Sequence, residues 1–306
     1  MSVLILWSRI VTVQIRRGST KPRVAHTIEA PQEVRQLFIC PYCPNGRLAW
    51  DYKAVSPRGL MQADVSCQSC ARRYSMDDGV LDFLGTDSTE IITPFQRLMQ
   101  FPPIAAIYEQ YWRPLGFFIA SLSSFRQFSA KIVDWVDPSN RSVILDLACG
   151  PGLLTRPIAR RSKGLIIGVD LSKPMLRRAQ RRALADGLEN IFWVRASAFR
   201  LPFAANLFDM VLCSGALHLF DQPHLALVEV RRVLAASGDF ICQTTLKPKH
   251  SAGFASFLQK FIRFGFFTSP IELEAKLAAV GIMIVDSWSR RIIYMFRAQR
   301  METRRS

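Results

Sequence analysis

Residues 143–152, with the sequence VILDLACGPG, constrain the fold of this chain more than any other segment. Four of its first five residues, Val143, Ile144, Leu145 and Leu147, are apolar and suit a strand covered on both faces of a sheet. Gly150 and Gly152 follow, and glycine lets the backbone approach a ligand that a Cβ atom would push away. A second apolar run, residues 165–170, ends at Asp170, where a carboxylate can accept hydrogen bonds from ribose hydroxyls. The two strand ends predict a nucleotide-like ligand at the edge of an α/β sheet.

The spacing of the glycines argues against a nicotinamide dinucleotide. That cofactor is bound by a G-x-G-x-x-G loop, whereas Gly150 and Gly152 are followed by residues 153–155, which contain no glycine. Asp146 lies in the strand before the loop, where a carboxylate would repel phosphate but can attract an ammonium group. A cofactor with a cationic amino-acid tail, S-adenosylmethionine, fits this pattern better.

The same residues resemble the class I S-adenosylmethionine-dependent methyltransferases. The family motif D-x-G-x-G-x-G appears as Asp146, Ala148, Gly150 and Gly152, with alanine at the first glycine. The similarity continues through residues 168–176, 201–203 and 208–218. These motifs are most similar to the small-molecule branch, methyltransferase type 11, which includes enzymes of quinone biosynthesis. The resemblance implies an α/β fold with a seven-stranded Rossmann-like sheet.

The resemblance also implies which residues bind the cofactor. Asp146 and the glycine loop would line its methionine end, Asp170 its ribose, and Leu171 and Met175 one face of its adenine. Many relatives carry an acid that binds the adenine amino group, and Ser197 stands in that place here, so this hydrogen bond loses its charge assistance. The residues that we assign to the cofactor site are Asp146, Ala148, Gly150, Gly152, Asp170, Leu171, Met175, Ser197, Ala198 and Ser214.

His218 is the one histidine near the expected mouth of the site. Methyl transfer is an in-line displacement, and it needs a base only if the acceptor keeps its proton at the working pH. We therefore name His218 as the candidate catalytic base or acceptor-orienting group. The alternative is a buried histidine with a purely structural role.

Two C-x-x-C pairs, Cys40 with Cys43 and Cys67 with Cys70, form the second strong motif. This spacing lets four thiolates surround one zinc ion as a tetrahedron. The alternative is a pair of disulfides, which a secreted chain would favour. The segment resembles the zinc ribbons that precede methyltransferase domains in plastid and cyanobacterial enzymes and in ribosomal RNA guanine-N1 methyltransferases. In so small a module the metal would supply much of the folding free energy.

The length of 306 residues suits one α/β domain with a small appended module. We expect a basic arm or presequence, a zinc ribbon, a linker with a helical cap, a methyltransferase domain and a basic tail, at residues 1–35, 36–84, 85–136, 137–299 and 300–306. No apolar run approaches the roughly 20 residues of a membrane-spanning helix. The expected location is the cytoplasm, or a plastid or other organelle stroma if the basic N-terminus is a presequence.

Two aromatic segments favour an apolar acceptor. Residues 108–118 contain several aromatic side chains and precede the sheet, where similar enzymes have a cap over the acceptor site. Residues 254–264 carry phenylalanines at helical spacing with basic residues between them, which predicts an amphipathic helix at the acceptor entrance or on a membrane surface. Packing of both segments within the protein is the alternative.

The net charge of +16 supports a different substrate class. Basic residues concentrate on the first two helices of the nucleotide domain: Arg156, Arg160, Arg161, Lys163, Lys173, Arg177, Arg178, Arg181 and Arg182. Such a surface attracts nucleic acid or anionic membranes. Residues 215–220 argue against a nucleic-acid substrate, because they resemble the small-molecule branch of the methyltransferases.

Together these features predict transfer of a methyl group from S-adenosylmethionine to a small apolar acceptor, a quinone-like or other lipophilic ring. Methylation of a ribosomal RNA base is the alternative. A second alternative is a non-catalytic adaptor with the methyltransferase fold. Two replacements suggest it: Ala148 stands at the first glycine of the motif, and Ser197 stands at the acid that binds adenine in many relatives. The sequence leaves the oligomeric state open.

Overall fold

The computed structural model describes residues 29–43, 46–57, 59–85, 115, 117, 122, 124–247, 267 and 269–301. The N-terminal arm up to residue 28, most of the expected cap, the phenylalanine-rich segment 254–264 and residues 302–306 lie outside the described residues. Among the described residues, no helix combines the length and the apolarity needed to cross a membrane.

The described strands form a single sheet of eleven strands in the order β1-β2-β3-β4-β7-β6-β5-β8-β9-β11-β10. The strands are β1 (Leu48–Lys53), β2 (Gln62–Cys67), β3 (Arg73–Asp77), β4 (Val80–Asp82), β5 (Val143–Leu147), β6 (Leu165–Asp170), β7 (Ile191–Arg195), β8 (Phe208–Ser214), β9 (Leu234–Thr245), β10 (Ile282–Arg290) and β11 (Ile293–Arg300). The described helices are α1 (Gln32–Arg35), α2 (Phe125–Val136), α3 (Thr155–Arg161), α4 (Lys173–Ala185), α5 (Pro223–Val233) and α6 (Pro270–Ala278).

Strands β5 to β11 form the seven-stranded Rossmann-like sheet that the motifs predict, so the predicted fold class is confirmed. Strands β7, β6, β5, β8 and β9 are parallel, whereas β11 and β10 are antiparallel to their neighbours. The chain adds β6 and β7 on one side of β5, then β8 and β9 on the other. Ligands of open α/β sheets bind at such a reversal, outside the carboxyl ends of the strands.

Both faces of the central strands are covered, which explains their apolar sequences. Every residue of β5 is buried. Leu145 and Leu147 belong to one core cluster, and Ile144 belongs to a second cluster together with residues of α2 and α3. Alternating side chains thus separate the two faces of the sheet. We call the face of Ile144, on which α2 and α3 pack, the α2 face.

Serine caps start three of the helices. The hydroxyl groups of Ser124, Ser172 and Ser269 accept hydrogen bonds from backbone amides in the first turns of α2, α4 and α6. A serine cap satisfies one of the amides that have no partner within the helix. At Ser172 the cap fixes the start of α4 directly after Asp170, so the chain leaves the strand end with little freedom.

The cysteine-containing segment continues the methyltransferase sheet. Strands β1 to β4 are antiparallel to one another, and β4 runs parallel to β7, with Leu81 opposite Val194. Phe38 packs at ring-centroid distances of 5.3 Å from Phe192 and 5.4 Å from Phe203. The expected ribbon and the methyltransferase domain therefore share one sheet and one hydrophobic core. The domain boundaries stay predictions.

Candidate functional site

The glycine loop between β5 and α3 adopts left-handed backbone conformations at three residues. The φ angles are 56° at Ala148, 56° at Gly150 and 73° at Gly152. A Cβ atom on Gly150 would have no described atom within 4 Å, whereas one on Gly152 would lie 3.1 Å from Ala179 and Trp193. Gly150 therefore faces space that a ligand can occupy, and Gly152 allows the loop to pack against α4.

Asp170 ties the glycine loop to the start of α4. Its Oδ2 accepts a hydrogen bond from the backbone amide of Gly150, and its Oδ1 accepts one from the amide of Ser172, each at 2.8 Å. A carboxylate has about four acceptor positions, so both oxygens keep capacity for ribose hydroxyls. The carboxylate thus shapes the loop and can also bind the ligand.

Asp146 is buried at the end of β5, with a relative exposure of 2%. The hydroxyl of Thr155 donates a hydrogen bond of 2.5 Å to its Oδ2. Our prediction from the sequence did not include Thr155, although a polar first residue in the helix after a glycine loop is a usable signal. This bond fixes the orientation of the carboxylate beside the loop.

The remaining predicted cofactor residues follow β6 and β7. Arg195 at the end of β7 stands opposite Asp170 in the register of the two strands, which brings Ser197 and Ala198 to the same sheet edge. The hydroxyl of Ser197 accepts a hydrogen bond from the amide of Phe199 at 3.3 Å. Ser197 and Met175 are buried, while Leu171 and Ala198 are half-buried. The structure thus places these residues at the carboxyl ends of adjacent strands, and their roles stay predictions.

A buried polar group lies at the ends of β8 and β9. The hydroxyl of Ser214 donates to Oε1 of Gln243 at 3.2 Å, and Nε2 of Gln243 donates to the carbonyl of Thr244 at 3.1 Å. The hydroxyl of Thr245 is buried and has no hydrogen-bond partner among the described residues. Since Ile241 packs on the α2 face, the alternation of β9 places Gln243 and Thr245 on that face.

Asp146 and Ser214 also lie on the α2 face, because each stands two residues after a residue of that face, Ile144 in β5 and Leu212 in β8. Our sequence prediction included these two residues but missed Gln243 and Thr245. The available signal was a set of polar residues, 243–245, at the end of an otherwise apolar strand.

His218 lies in a short 3-10 helix, Leu217–Leu219, and is buried. Its Nδ1 is 3.3 Å from the hydroxyl of Thr244. The side chain of Thr244 alternates to the opposite face of β9 from Gln243, with Cys242 and Phe240. The contact with Thr244 therefore joins His218 to the face opposite Asp146, and the catalytic role of His218 stays a prediction.

Cys149, within the glycine loop, is a neutral thiol. Burial and the nearby carboxylates of Asp146 and Asp170 raise the pKa of Cys149 well above its usual range. A neutral thiol is a poor nucleophile and a poor metal ligand. Cys149 therefore contributes packing to the loop: its sulfur lies so close to Gly168 that a Cβ atom added there would be 3.2 Å away.

The four cysteines of the two C-x-x-C pairs come together. All four sulfur atoms lie within 4.8 Å of one another, and Cys40 Sγ is 3.8 Å from Cys70 Sγ. Four thiolates at about 2.3 Å from one zinc ion would be about 3.8 Å apart. A Cβ atom on Gly46 would lie 2.8 Å from the Cβ atoms of Cys40 and Cys43, so only glycine fits beside this cluster. The arrangement fits a tetrahedral zinc ion.

Hydrogen-bond donors surround the cysteine cluster. The hydroxyl of Tyr74 lies 3.1 Å from Cys40 Sγ, and the amide of Ser69 donates to Cys67 Sγ at 3.4 Å. Burial raises the pKa of Tyr74, so its hydroxyl keeps its proton and can donate. The amide of Arg72 lowers the pKa of Cys70 to about 6. Burial raises the pKa of Cys40, and hydrogen bonding to Cys70 raises that of Cys43 to about 12, so the thiolate, the form that binds a metal, is favoured at Cys70.

Several of the basic residues on α3 and α4 have acidic partners. Arg156 and Arg160 pair with Asp186 at 3.0 and 2.7 Å, and Arg177 pairs with Asp77 of β3 at 2.7 Å. Arg161 pairs with Asp134. These ion pairs reduce the charge that the helices can offer to a polyanion, so the number of basic residues on α3 and α4 overstates the positive field at this surface.

Comparison with known proteins agrees with this geometry. Residues 144–238 match a family described as a methyltransferase domain. An uncharacterised chloroplastic methyltransferase of Arabidopsis thaliana is 28% identical over 227 residues, which cover 70% of this chain and 63% of that protein. A demethylmenaquinone methyltransferase of Lactiplantibacillus plantarum is 32% identical over 133 residues, which cover 42% of this chain and 56% of that protein. The chain thus spans about three fifths of the length of these relatives.

A solved structure of geranyl diphosphate methyltransferase in complex with S-adenosylmethionine has a TM-score of 0.52 and 14% identity, and the match covers 57% of this chain and 85% of that chain. At this identity the likeness concerns the fold. The family match, the glycine loop and the acidic end of β6 agree on the same cofactor. The family match therefore covers residues 144–238, the part of the chain that holds the glycine loop and the acidic end of β6.

Proposed function

We propose that this protein transfers the methyl group of S-adenosylmethionine to a small lipophilic ring, of the quinone type. The observation that carries the proposal is the juxtaposition at the carboxyl ends of β5, β8 and β9. There the glycine loop and Asp146 lie on the same face of the sheet as Ser214, Gln243 and Thr245. The name of the relative from Lactiplantibacillus plantarum supports a quinone-type acceptor.

The cofactor side of the site consists of carboxylates and an open loop. The residues fit the ligand, because a Cβ on Gly150 would enter open space and Asp146 is buried beside the loop. When bound, S-adenosylmethionine supplies an electrophilic methyl group on a sulfonium cation. Asp170 would accept from the ribose, and Asp146 would attract the ammonium group of the amino-acid tail.

The acceptor side consists of few polar groups within apolar surroundings. Thr245 can donate to, or accept from, an oxygen of the acceptor, because its buried hydroxyl has no partner among the described residues. Phe117 and Phe128 belong to the apolar cluster on the same face. A ring with one or two oxygens would satisfy the polar groups and bury its carbon atoms. His218 remains our candidate for orienting the acceptor or taking its proton.

A methyl-transfer assay with labelled cofactor tests the proposal. The purified protein and tritiated S-adenosylmethionine would be supplied either with a demethylated prenyl-naphthoquinol in detergent or with deproteinised ribosomal RNA. With the wild-type protein we expect label in the naphthoquinol only. With Asp170→Ala we expect no label in the naphthoquinol. Label in the RNA alone, falling with added salt, would overturn the proposed substrate class and favour the RNA alternative that the net charge of +16 raises.

We also propose that Cys40, Cys43, Cys67 and Cys70 bind one zinc ion. The close approach of the four sulfurs supports this proposal. Elemental analysis should find one zinc per chain, and Cys67→Ser should reduce the zinc content to a small fraction. Cys213→Ser is the matched control, because Cys213 is also buried but lies outside the cluster. Equal zinc content in both variants would contradict the assignment.

For the location of the protein we propose a plastid. The chloroplastic location in the name of the Arabidopsis thaliana relative supports this proposal, as does the absence of acidic residues from the first 28 positions of the sequence. A fluorescent protein fused to the full chain should accumulate in plastids, and one fused to residues 29–306 should not. Cytoplasmic fluorescence from the full fusion would contradict the proposal.

A further inference from the structure

We infer that Arg195 and Asp82 are positioning residues, through which the cysteine-containing strands hold the cofactor-binding turn after β6 in place. This inference rests on the proposed function, since it concerns the affinity for S-adenosylmethionine. It assigns a role to the contact between β4 and β7 beyond the stability of the sheet.

The three strands β4, β7 and β6 align their last residues. Asp82 stands opposite Arg195, and Arg195 stands opposite Asp170. Nη1 of Arg195 lies 3.1 Å from Oδ2 and 3.3 Å from Oδ1 of Asp82. The relative exposures of the two side chains are 14% and 4%, so water screens this pair little.

The same guanidinium reaches the cofactor-binding turn. Nε of Arg195 donates a hydrogen bond of 3.0 Å to the backbone carbonyl of Leu171, the residue directly after Asp170. One rigid side chain therefore connects the carboxylate of β4 with the turn that carries the predicted ribose and adenine contacts. A lysine at position 195 could not bind both the Leu171 carbonyl and the Asp82 carboxylate in this way, since its single ammonium lacks the planar fork of donors.

Asp82 is itself held in place. Its Oδ1 accepts hydrogen bonds from the amides of Leu84 and Gly85, each at 3.0 Å. Lys173, in the first turn of α4, places its Nζ 3.5 Å from Asp82 and 3.6 Å from Asp77. Arg195 and Lys173 thus share the carboxylate of Asp82 on β4.

A second contact joins the first C-x-x-C pair to the loop after β7. The ring of Tyr42, between Cys40 and Cys43, has the guanidinium of Arg72 at 4.0 Å from its centroid and that of Arg200 at 4.5 Å. The amide of Arg200 donates to the carbonyl of Ser197 at 3.2 Å. The cysteine cluster therefore borders the loop after β7, which carries Ser197 and Ala198, so its disruption should loosen that loop.

Calorimetric titration of S-adenosylmethionine into variants tests the inference. Arg195→Lys keeps the charge but loses the bond to Leu171, and we expect its Kd to rise about tenfold. At saturating cofactor its kcat should stay within twofold of wild type. Arg177→Lys is the matched control, because Arg177 pairs with Asp77 of the same strands. The Kd of Arg177→Lys should stay within twofold.

Unchanged Kd in Arg195→Lys, or an equal rise in Arg177→Lys, would overturn the inference. Should Arg195→Lys fail to fold, Asp82→Asn gives a second measurement, because it removes the charge that pairs with Arg195. Amide exchange at residues 171–176 should be faster in Asp82→Asn than in wild type while exchange in β8 and β9 stays slow, and equal rates in the two proteins would contradict the inference. If the wild-type protein does not bind S-adenosylmethionine, both the proposed function and this inference are overturned. If the wild type binds it and Arg195→Lys has the same Kd, this inference alone is overturned.

Discussion

The backbone amide of Gly150 donates a 2.8 Å hydrogen bond to Asp170, so the loop after β5 and the end of β6 are held together by a carboxylate. Ser172 donates to the other oxygen of the same group. Asp170 therefore orders the glycine loop, and we predict that it also accepts hydrogen bonds from the cofactor.

Replacement of Asp170 by alanine should lower the affinity for S-adenosylmethionine by about tenfold or more, because it removes charge-assisted bonds to the ribose and loosens the loop. Calorimetric titration measures the change. Asp186→Ala is the control: it removes a carboxylate that pairs with Arg156 and Arg160 on α3. An unchanged affinity in Asp170→Ala would remove this residue from the cofactor site.

Replacement of Ala148 by glycine should stabilise the protein by about 0.5–1 kcal/mol. Ala148 has a φ of 56°, a left-handed conformation that costs a residue with a Cβ atom about 1 kcal/mol and costs glycine less. Urea unfolding measures the difference. Ala275→Gly, at an exposed position within α6, should instead destabilise by about 1 kcal/mol. A loss of stability in Ala148→Gly would show that the alanine methyl packs favourably.

The stability of the protein should fall as the pH rises above about 9. The pKa of Cys149 is raised in the folded state, so the fold favours the neutral thiol. The stabilisation is fully present below the unfolded pKa of about 8.5 and is lost as the pH rises towards the folded pKa. Urea unfolding between pH 7 and pH 10 should show a shallower decline in Cys149→Ala than in wild type. Parallel declines would contradict the assignment of the effect to Cys149.

Replacement of Thr245 by valine should separate binding of the acceptor from folding. The Thr245 hydroxyl is buried with no described hydrogen-bond partner, so its removal should leave the unfolding free energy within about 1 kcal/mol of wild type. The KM for the naphthoquinol should rise several-fold while the Kd for S-adenosylmethionine stays constant. Ser139→Ala, which removes an exposed hydroxyl that donates to Asp137, should not raise that KM. A large loss of stability in Thr245→Val would indicate a structural role.

The sequence predicted the parts of the site that depend on local patterns. The glycine loop, Asp170 and the four cysteines stand in short motifs, and the structure brings each set together. The sequence did not predict the contact between Asp82 and Arg195. These residues are 113 positions apart, and neither was assigned to the cofactor or metal motifs. Likewise, the arginines of α3 and α4 suggested an open basic surface, whereas their acidic partners come from distant segments such as β3.

The pairing of β4 with β7 has a practical consequence for any shortened form of this protein. A fragment that starts at residue 137 would retain all the cofactor motifs but would expose the backbone of β7 and the apolar surfaces of Phe192 and Phe203, which Phe38 covers in the full chain. An uncovered strand with apolar neighbours recruits strands from other molecules. Expression of the methyltransferase sheet on its own should therefore yield aggregates, and fragments should begin no later than residue 29.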